Sequence, residues 1–378
     1  MTASNPCPVA MPVRSLCSAV AAATFAFVAV PAFAAPAAAV PAPAPVAGPQ
    51  VAPSATEVPL SDPLTDGLTE EIRTVLGRVV EVRVKHADAA VAKAAVTAVQ
   101  EEIARVLRKL DHKQRDSEFY SINQAADKEE VLVSEETALV VQRMLDFCRR
   151  SGGAYDPMVA SWDYLWDFGR KPFVRPLPAE ITARKPIANC KHLLIKPSRA
   201  VRIMQVGGRI SAQGIVAGSA LQKAAELLRA KGISDFRIRV GNDSYVQGRI
   251  GTQFWYQPVA HPRKAGVGVG LMYLTSHAAA TRTDSEMTVH KAGNRYHDVL
   301  DPRTGVPVTG VIQATVFASD PQLADAWSTA LFVLGPKAGL QMLQQLPNVE
   351  GFVIDSTGKV WTSPGAEAFV RLPAKIDL

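Results

Sequence analysis

The sequence predicts an α+β fold with antiparallel sheets packed against helices. Strand-like runs arrive as adjacent pairs, 236–240 with 244–249 and 352–355 with 360–362, while helical runs arrive in blocks and not in single alternation with strands. Composition agrees, because 48% apolar and 20% charged residues over 378 positions are ordinary globular proportions, enough for one large domain or two. Collagen, coiled coil and low complexity are excluded. The 41 basic and 35 acidic residues give a net charge of +6 without a basic block, so nucleic-acid binding is not indicated. That charge permits only loose attraction to anionic ligands and peripheral proximity to a membrane.

The N-terminus carries one charge, Arg14, then an apolar run from Leu16 to Val30 and the small-x-small end Ala32-Phe33-Ala34. This pattern predicts a signal peptide over 1–34, cleaved after Ala34. The run is shorter than the roughly 20 residues needed to span a bilayer, which disfavours a retained anchor. Cys17 suggests lipidation, but Arg14-Ser15-Leu16 lacks the apolar-then-small approach, so the expectation is a soluble exported protein. Residues 35–67 form an Ala/Pro-rich linker whose prolines block helix and sheet pairing. Cleavage would leave Cys148 and Cys190, which either pair as one disulfide or stay as two buried thiols.

The folded region is expected over 68–378. Val79 to Val84 reads as a strand, and Ala89 to Leu110 as an amphipathic helix with Val91, Ala95, Val99, Ile103, Val106 and Leu110 on its apolar face. A second helix follows Ser134, with Glu135 and Glu136 in its first turn and Gly152-Gly153 ending it. Ala212 to Ala230 reads as a helix, 268–280 and 311–318 as strands, and Asp320-Pro321 opens a helix to about Leu334.

Three short patterns carry candidate chemistry. Asp325 and Thr329 are one helical turn apart, so a carboxylate and a hydroxyl can meet one hard cation such as Mg²⁺, although such a pair is commonly just a solvated face. Asp156, held extended before Pro157, can accept hydrogen bonds from a ligand or stabilise its own turn. His297 precedes the turn Asp301-Pro302-Arg303-Thr304-Gly305 as either a proton carrier or a structural imidazole. Zinc spacing, a nucleophile elbow and a phosphate-cradling glycine loop are absent from the sequence.

An ordered set of motifs resembles the ApbE family of FAD:protein FMN transferases, from about Gly77 to Gly335. The set comprises Asp116-Ser117-Glu118 with Ile122-Asn123, Gly153-Ala154-Tyr155-Asp156-Pro157, Leu165-Trp166-Asp167-Phe168-Gly169, Asp301 to Gly305, and Ala324-Asp325 through Phe332. The resemblance implies a T-fold-like architecture in the periplasm, with FAD as substrate, Mg²⁺ as cofactor, and transfer of FMN to a Ser or Thr of an exported acceptor protein with release of AMP. It implies that Asp325 and Thr329 hold the metal with a backbone oxygen near Gly214 and with Ser328, and that Ala154, Tyr155, Asp156 and Val299 line the flavin site.

The chain departs from the family pattern where the chemistry should lie. Ser211-Ala212-Gln213-Gly214-Ile215-Val216-Ala217-Gly218 stands for Asp-Leu-Gly-Gly-Ile-Ala-Lys-Gly, and Leu76-Gly77-Arg78 for Met-Gly-Thr. Gly241-Asn242-Asp243 stands for Gly-Gly-Asp, His297-Asp298 for His-His, and Thr281-Arg282-Thr283 for Thr-Ser-Gly. The lysine is lost at Ala217, Arg282 and Lys291 are the candidates to replace its charge, and Asp298 repels a pyrophosphate unless a cation lies between them. Two functional classes therefore stand, a transferase and a degenerate binding protein of the same fold.

Overall fold

The computed structural model describes residues 58–59, 68–251 and 253–378. The expected signal peptide lies outside them, as does the linker apart from Val58–Pro59. Those two residues pair antiparallel with Val267 and Gly268, so the linker is not wholly without sheet pairing. Among the described residues no helix is long and apolar enough to cross a membrane.

An eight-stranded antiparallel sheet forms the centre, in the order 360–362, 350–355, 311–318, 277–283, 243–247, 235–240, 78–85, 68–75. Helices Ala89–Lys109, Val216–Ala230 and Pro321–Leu343 lie side by side on one face. Period two explains how one strand serves two environments: Val80, Val82 and Val84 enter the helix-side core, while Glu81 and Arg83 alternate with them and pair at 2.9 Å. The opposite face is covered by a smaller sheet, where Trp255, Val259, Met272 and Leu274 meet Ile312, Phe317, Phe352 and Ile354. Strand Val311–Ala318 is consequently buried along its whole length.

Local signals explain the helix limits. Asp88, Ser134 and Asp320 each accept a backbone N–H from the first turn of the helix that follows, the Ser/Asp capping expected at these positions. Val91, placed on the apolar face by its spacing, is exposed, and Ala92 and Val96 are buried there instead. The segment read as one strand over 268–280 is two, Val267–Leu274 and His277–Thr283, turning at Ser276 with φ 52°. The last long helix is broken at Gly335, φ 75°, before Pro336 and then resumes to Leu343, so the expected end at Leu334 marks the break and not the terminus. The 212–230 helix begins at Val216, because Gly214 at φ 78° cannot continue it.

Cys148 and Cys190 are bonded, 42 residues apart in sequence. The link ties the end of helix Glu135–Arg150 to the short turn Cys190–His192. Loop-closure entropy for a ring of this size gives about 3–4 kcal/mol. Cys148→Ser with Cys190→Ser should therefore lower unfolding free energy by about 3 kcal/mol in urea titration, and a change under about 0.5 kcal/mol would show the link to be energetically idle.

Candidate active site

Residues from several motifs, among them Ala154, Tyr155, Asp156, Pro302 and Thr329, meet around one pocket. Gly153 ends one helix in the left-handed region, and Asp156 opens the turn Pro157–Trp162. The Asp156 oxygens accept N–H bonds from Met158 at 2.8 Å and Cys190 at 2.9 Å. Both are thus engaged with backbone, the turn-stabilising use, while burial pushes the carboxyl up to about 6 against those two bonds. The Asp301–Gly305 turn closes on the Trp166 motif, whose indole N–H donates to Gly305 O at 2.7 Å, and a Cβ at Gly305 would lie 2.3 Å from the Trp162 ring.

Gly214, Tyr155 and Thr329 converge: a Cβ at Gly214 would sit 2.7 Å from Thr329 Oγ1 and 3.0 Å from the Tyr155 ring. Asp325, one turn before Thr329, is 1% exposed. Its Oδ2 accepts the Gly218 N–H at 3.0 Å, and its Oδ1 pairs with Arg282 Nη2 at 2.7 Å. Gly218 lies in the first turn of helix Val216–Ala230, which has no side-chain cap of its own, so Asp325 supplies from a neighbouring helix the anion that this terminus favours. Ser328 Oγ donates to Asp325 O at 2.8 Å and Thr329 Oγ1 to the same carbonyl at 3.4 Å, hydroxyls turned back on their own helix.

A pocket of about 30 Å³ is lined by Ala154, Tyr155, Asp156, Gln213, Arg282, Asp298, Val299 and Thr329, among others. Three buried polar atoms of these residues have no hydrogen-bond partner among the described residues: Tyr155 Oη, Arg282 Nε and Asp298 Oδ1. Buried polar groups are normally satisfied, and three such atoms around a pocket with room for about one or two waters mark a place for ordered water or one small polar group. Burial, then the nearby Glu286, pushes Asp298 up to about 6. Burial, then Asp325, pushes Asp243 up to about 8, with its Oδ1 accepting the Thr281 N–H at 2.8 Å. Burial opposes the Arg282 charge, but Asp325 and Asp243 overcome it and hold its pKa above the usual arginine value. The small pocket shares Asp156 and Pro302 with a cleft of about 580 Å³ lined by Arg149, Lys185, Lys191 and Arg303.

The expected site residues Ala154, Tyr155, Asp156, Val299 and Thr329 therefore share one pocket; Gly214 approaches two of them, Asp325 pairs with the pocket residue Arg282, and Ser328 is fully buried. His297 is engaged with backbone, the structural arrangement: Nε2 donates to Val308 O at 2.8 Å, Nδ1 accepts the Val299 N–H at 3.3 Å, and burial lowers its pKa. Lys291 donates to Phe173 O at 2.8 Å and takes no part in the pocket lining, whereas Arg282 does line it. Spacing missed Asp243 because its strand carries it next to Thr281, 38 positions later, through sheet pairing alone.

The donor set does not fit Mg²⁺. Asp325 already has a guanidinium on one oxygen and a backbone N–H on the other, and Ser328 is turned to a helix carbonyl.

The ApbE family model matches residues 76–353. The FAD:protein FMN transferase of Treponema pallidum is 26% identical over 321 residues, covering 79% of this chain and 87% of the relative. That of Vibrio cholerae serotype O1 is 27% identical, covering 72% and 84%. The crystal structure of the ApbE protein of Thermotoga maritima superposes with a TM-score of 0.74 at 27% identity, covering 80% of this chain and 99% of that one. The flavin transferase ApbE of Vibrio cholerae gives 0.70 at 23% identity over 80% and 99%, a likeness of fold.

Proposed function

This chain belongs to the ApbE family, and on that premise we propose that it transfers FMN from FAD to a Ser or Thr hydroxyl of an exported acceptor protein, releasing AMP. In the step proposed, the acceptor oxygen attacks the FMN-side phosphorus, the bond from that phosphorus to the bridging oxygen breaks, and AMP leaves with that oxygen. The hydroxyl proton passes to the Asp298 carboxylate. The observation that carries this reading is the trio of unpartnered buried atoms, Tyr155 Oη, Arg282 Nε and Asp298 Oδ1, around a pocket lined by residues that the motif resemblance assigns to flavin.

The cleft of about 580 Å³, within the range of small-molecule sites, is the proposed seat for the body of the dinucleotide, and its basic lining suits phosphates. Export to the periplasm is supported by the N-terminal pattern and by the Cys148–Cys190 bond, which belongs to an oxidising compartment. Magnesium is left out of this reading because the Asp325 carboxylate is otherwise engaged.

The test is incubation of the purified chain with FAD and a Ser/Thr-bearing flavoprotein domain, followed by AMP chromatography and in-gel flavin fluorescence. AMP appearing in step with covalent fluorescence on the acceptor supports transfer. FAD that binds stoichiometrically and survives for hours refutes it and favours a binding protein, the reading to which the Arg282–Asp325 pair lends weight.

A further inference from the structure

We propose that Arg282 is a built-in cation that takes the place of a divalent metal, so that this site binds the pyrophosphate of its dinucleotide without one. The proposal rests on the flavin reading above and deepens it. Arg282 reaches Asp325 Oδ1 at 2.7 Å with side chains 7% and 1% exposed, so the guanidinium occupies the oxygen that a metal would need. The other Asp325 oxygen accepts the Gly218 N–H, so the carboxylate is held between two donors and has no reason to swing toward an ion. Asp243, Glu286 and Asp298 also bear electrostatically on Arg282, which places one fixed positive charge among four carboxyl groups.

The guanidinium has donors to spare. Arg282 Nε is buried without a partner among the described residues, and the residue lines the same pocket as Tyr155, whose hydroxyl is likewise unpartnered. A planar cation with a free N–H next to a hydroxyl suits a phosphate oxygen, because guanidinium donors match phosphate geometry and the charge cannot be lost by deprotonation. It also answers the repulsion at Asp298, since a cation stands near that carboxylate on the pocket wall.

The test separates metal binding from flavin chemistry. Mn²⁺ alone is titrated against the full chain by electron paramagnetic resonance, and FAD binding is followed by flavin fluorescence with EDTA or with Mg²⁺. The native chain should show no saturable Mn²⁺ site up to 1 mM and an FAD affinity within twofold in the two conditions. Arg282→Ser should gain a Mn²⁺ site at least tenfold tighter, lost again in Arg282→Ser/Asp325→Asn, and its FAD binding should become metal-dependent. Arg282→Lys, which keeps the charge, should stay blind to Mn²⁺, which guards against a trivial loss of folding. A stoichiometric Mn²⁺ site in the native chain that Asp325→Asn abolishes, or FAD binding that EDTA destroys, would overturn the proposal. Should FAD fail to bind under any condition, the flavin reading falls, while the Mn²⁺ arm still decides whether Arg282 excludes the metal.

Discussion

Asp325→Ala is expected to destabilise the protein by about 3–5 kcal/mol, read as the shift in urea unfolding at constant slope with EDTA present. The reason is the partner left behind. Arg282 is 6% exposed, and removing Asp325 takes away the one carboxylate hydrogen-bonded to that desolvated charge. The Gly218 N–H loses its acceptor as well, at roughly 1 kcal/mol by analogy with a lost helix cap. Replacing both partners with apolar residues, Arg282→Met with Asp325→Leu, should recover most of the loss, because the cost lies in the unpaired ion and not in the absence of the pair. If Asp325 served only to grip a metal, its removal in EDTA would instead be neutral or stabilising, so the sign of this measurement separates the two roles.

Asp298→Asn is expected to lower the rate of AMP release by about 10²–10⁴-fold, the usual contribution of a positioned proton acceptor. The native rate should climb as pH rises through about 6, where burial and Glu286 place the Asp298 carboxyl, since only the ionised form accepts a proton. The variant should lose that ascending limb. Stability should move in the opposite direction. The folded state holds this proton more tightly than the unfolded chain, so the carboxyl's contribution is most favourable below pH 4 and is lost as pH rises through 6. Asp298→Asn should therefore unfold at higher urea than the native chain at pH 8 and at an equal concentration at pH 3. A rate that keeps its limb in the variant would remove Asp298 from the proton path.

These two carboxylates show where reading along the chain succeeds and where it stops. The helix carrying Asp325 was legible from Asp320-Pro321 and its spacing, because capping and periodicity are local and involve residues a few positions apart. The convergence of Tyr155, Thr329 and Gly214 was legible as well, though only through motif order, which carries the record of a whole fold that spacing alone lacks. One feature rests on physics invisible to a local pattern: Asp325 holds an arginine 43 positions earlier, while His297 and Asp156 make the backbone hydrogen bonds of the structural reading the sequence had left open beside the functional one.

Linear order was sufficient for the α+β class and the helix caps, because each rests on neighbouring residues or on composition. It left open whether Cys148 and Cys190 join, which of Arg282 and Lys291 faces the site, and whether Asp325 is free for a metal. The last two depend on strand register across an eight-stranded sheet: the pairing of 277–283 with 311–318, under the 321–343 helix, sets Arg282 against Asp325. A charge buried at that depth is compelled to find a partner by the cost of desolvation, and which partner it finds is a matter of distance in space.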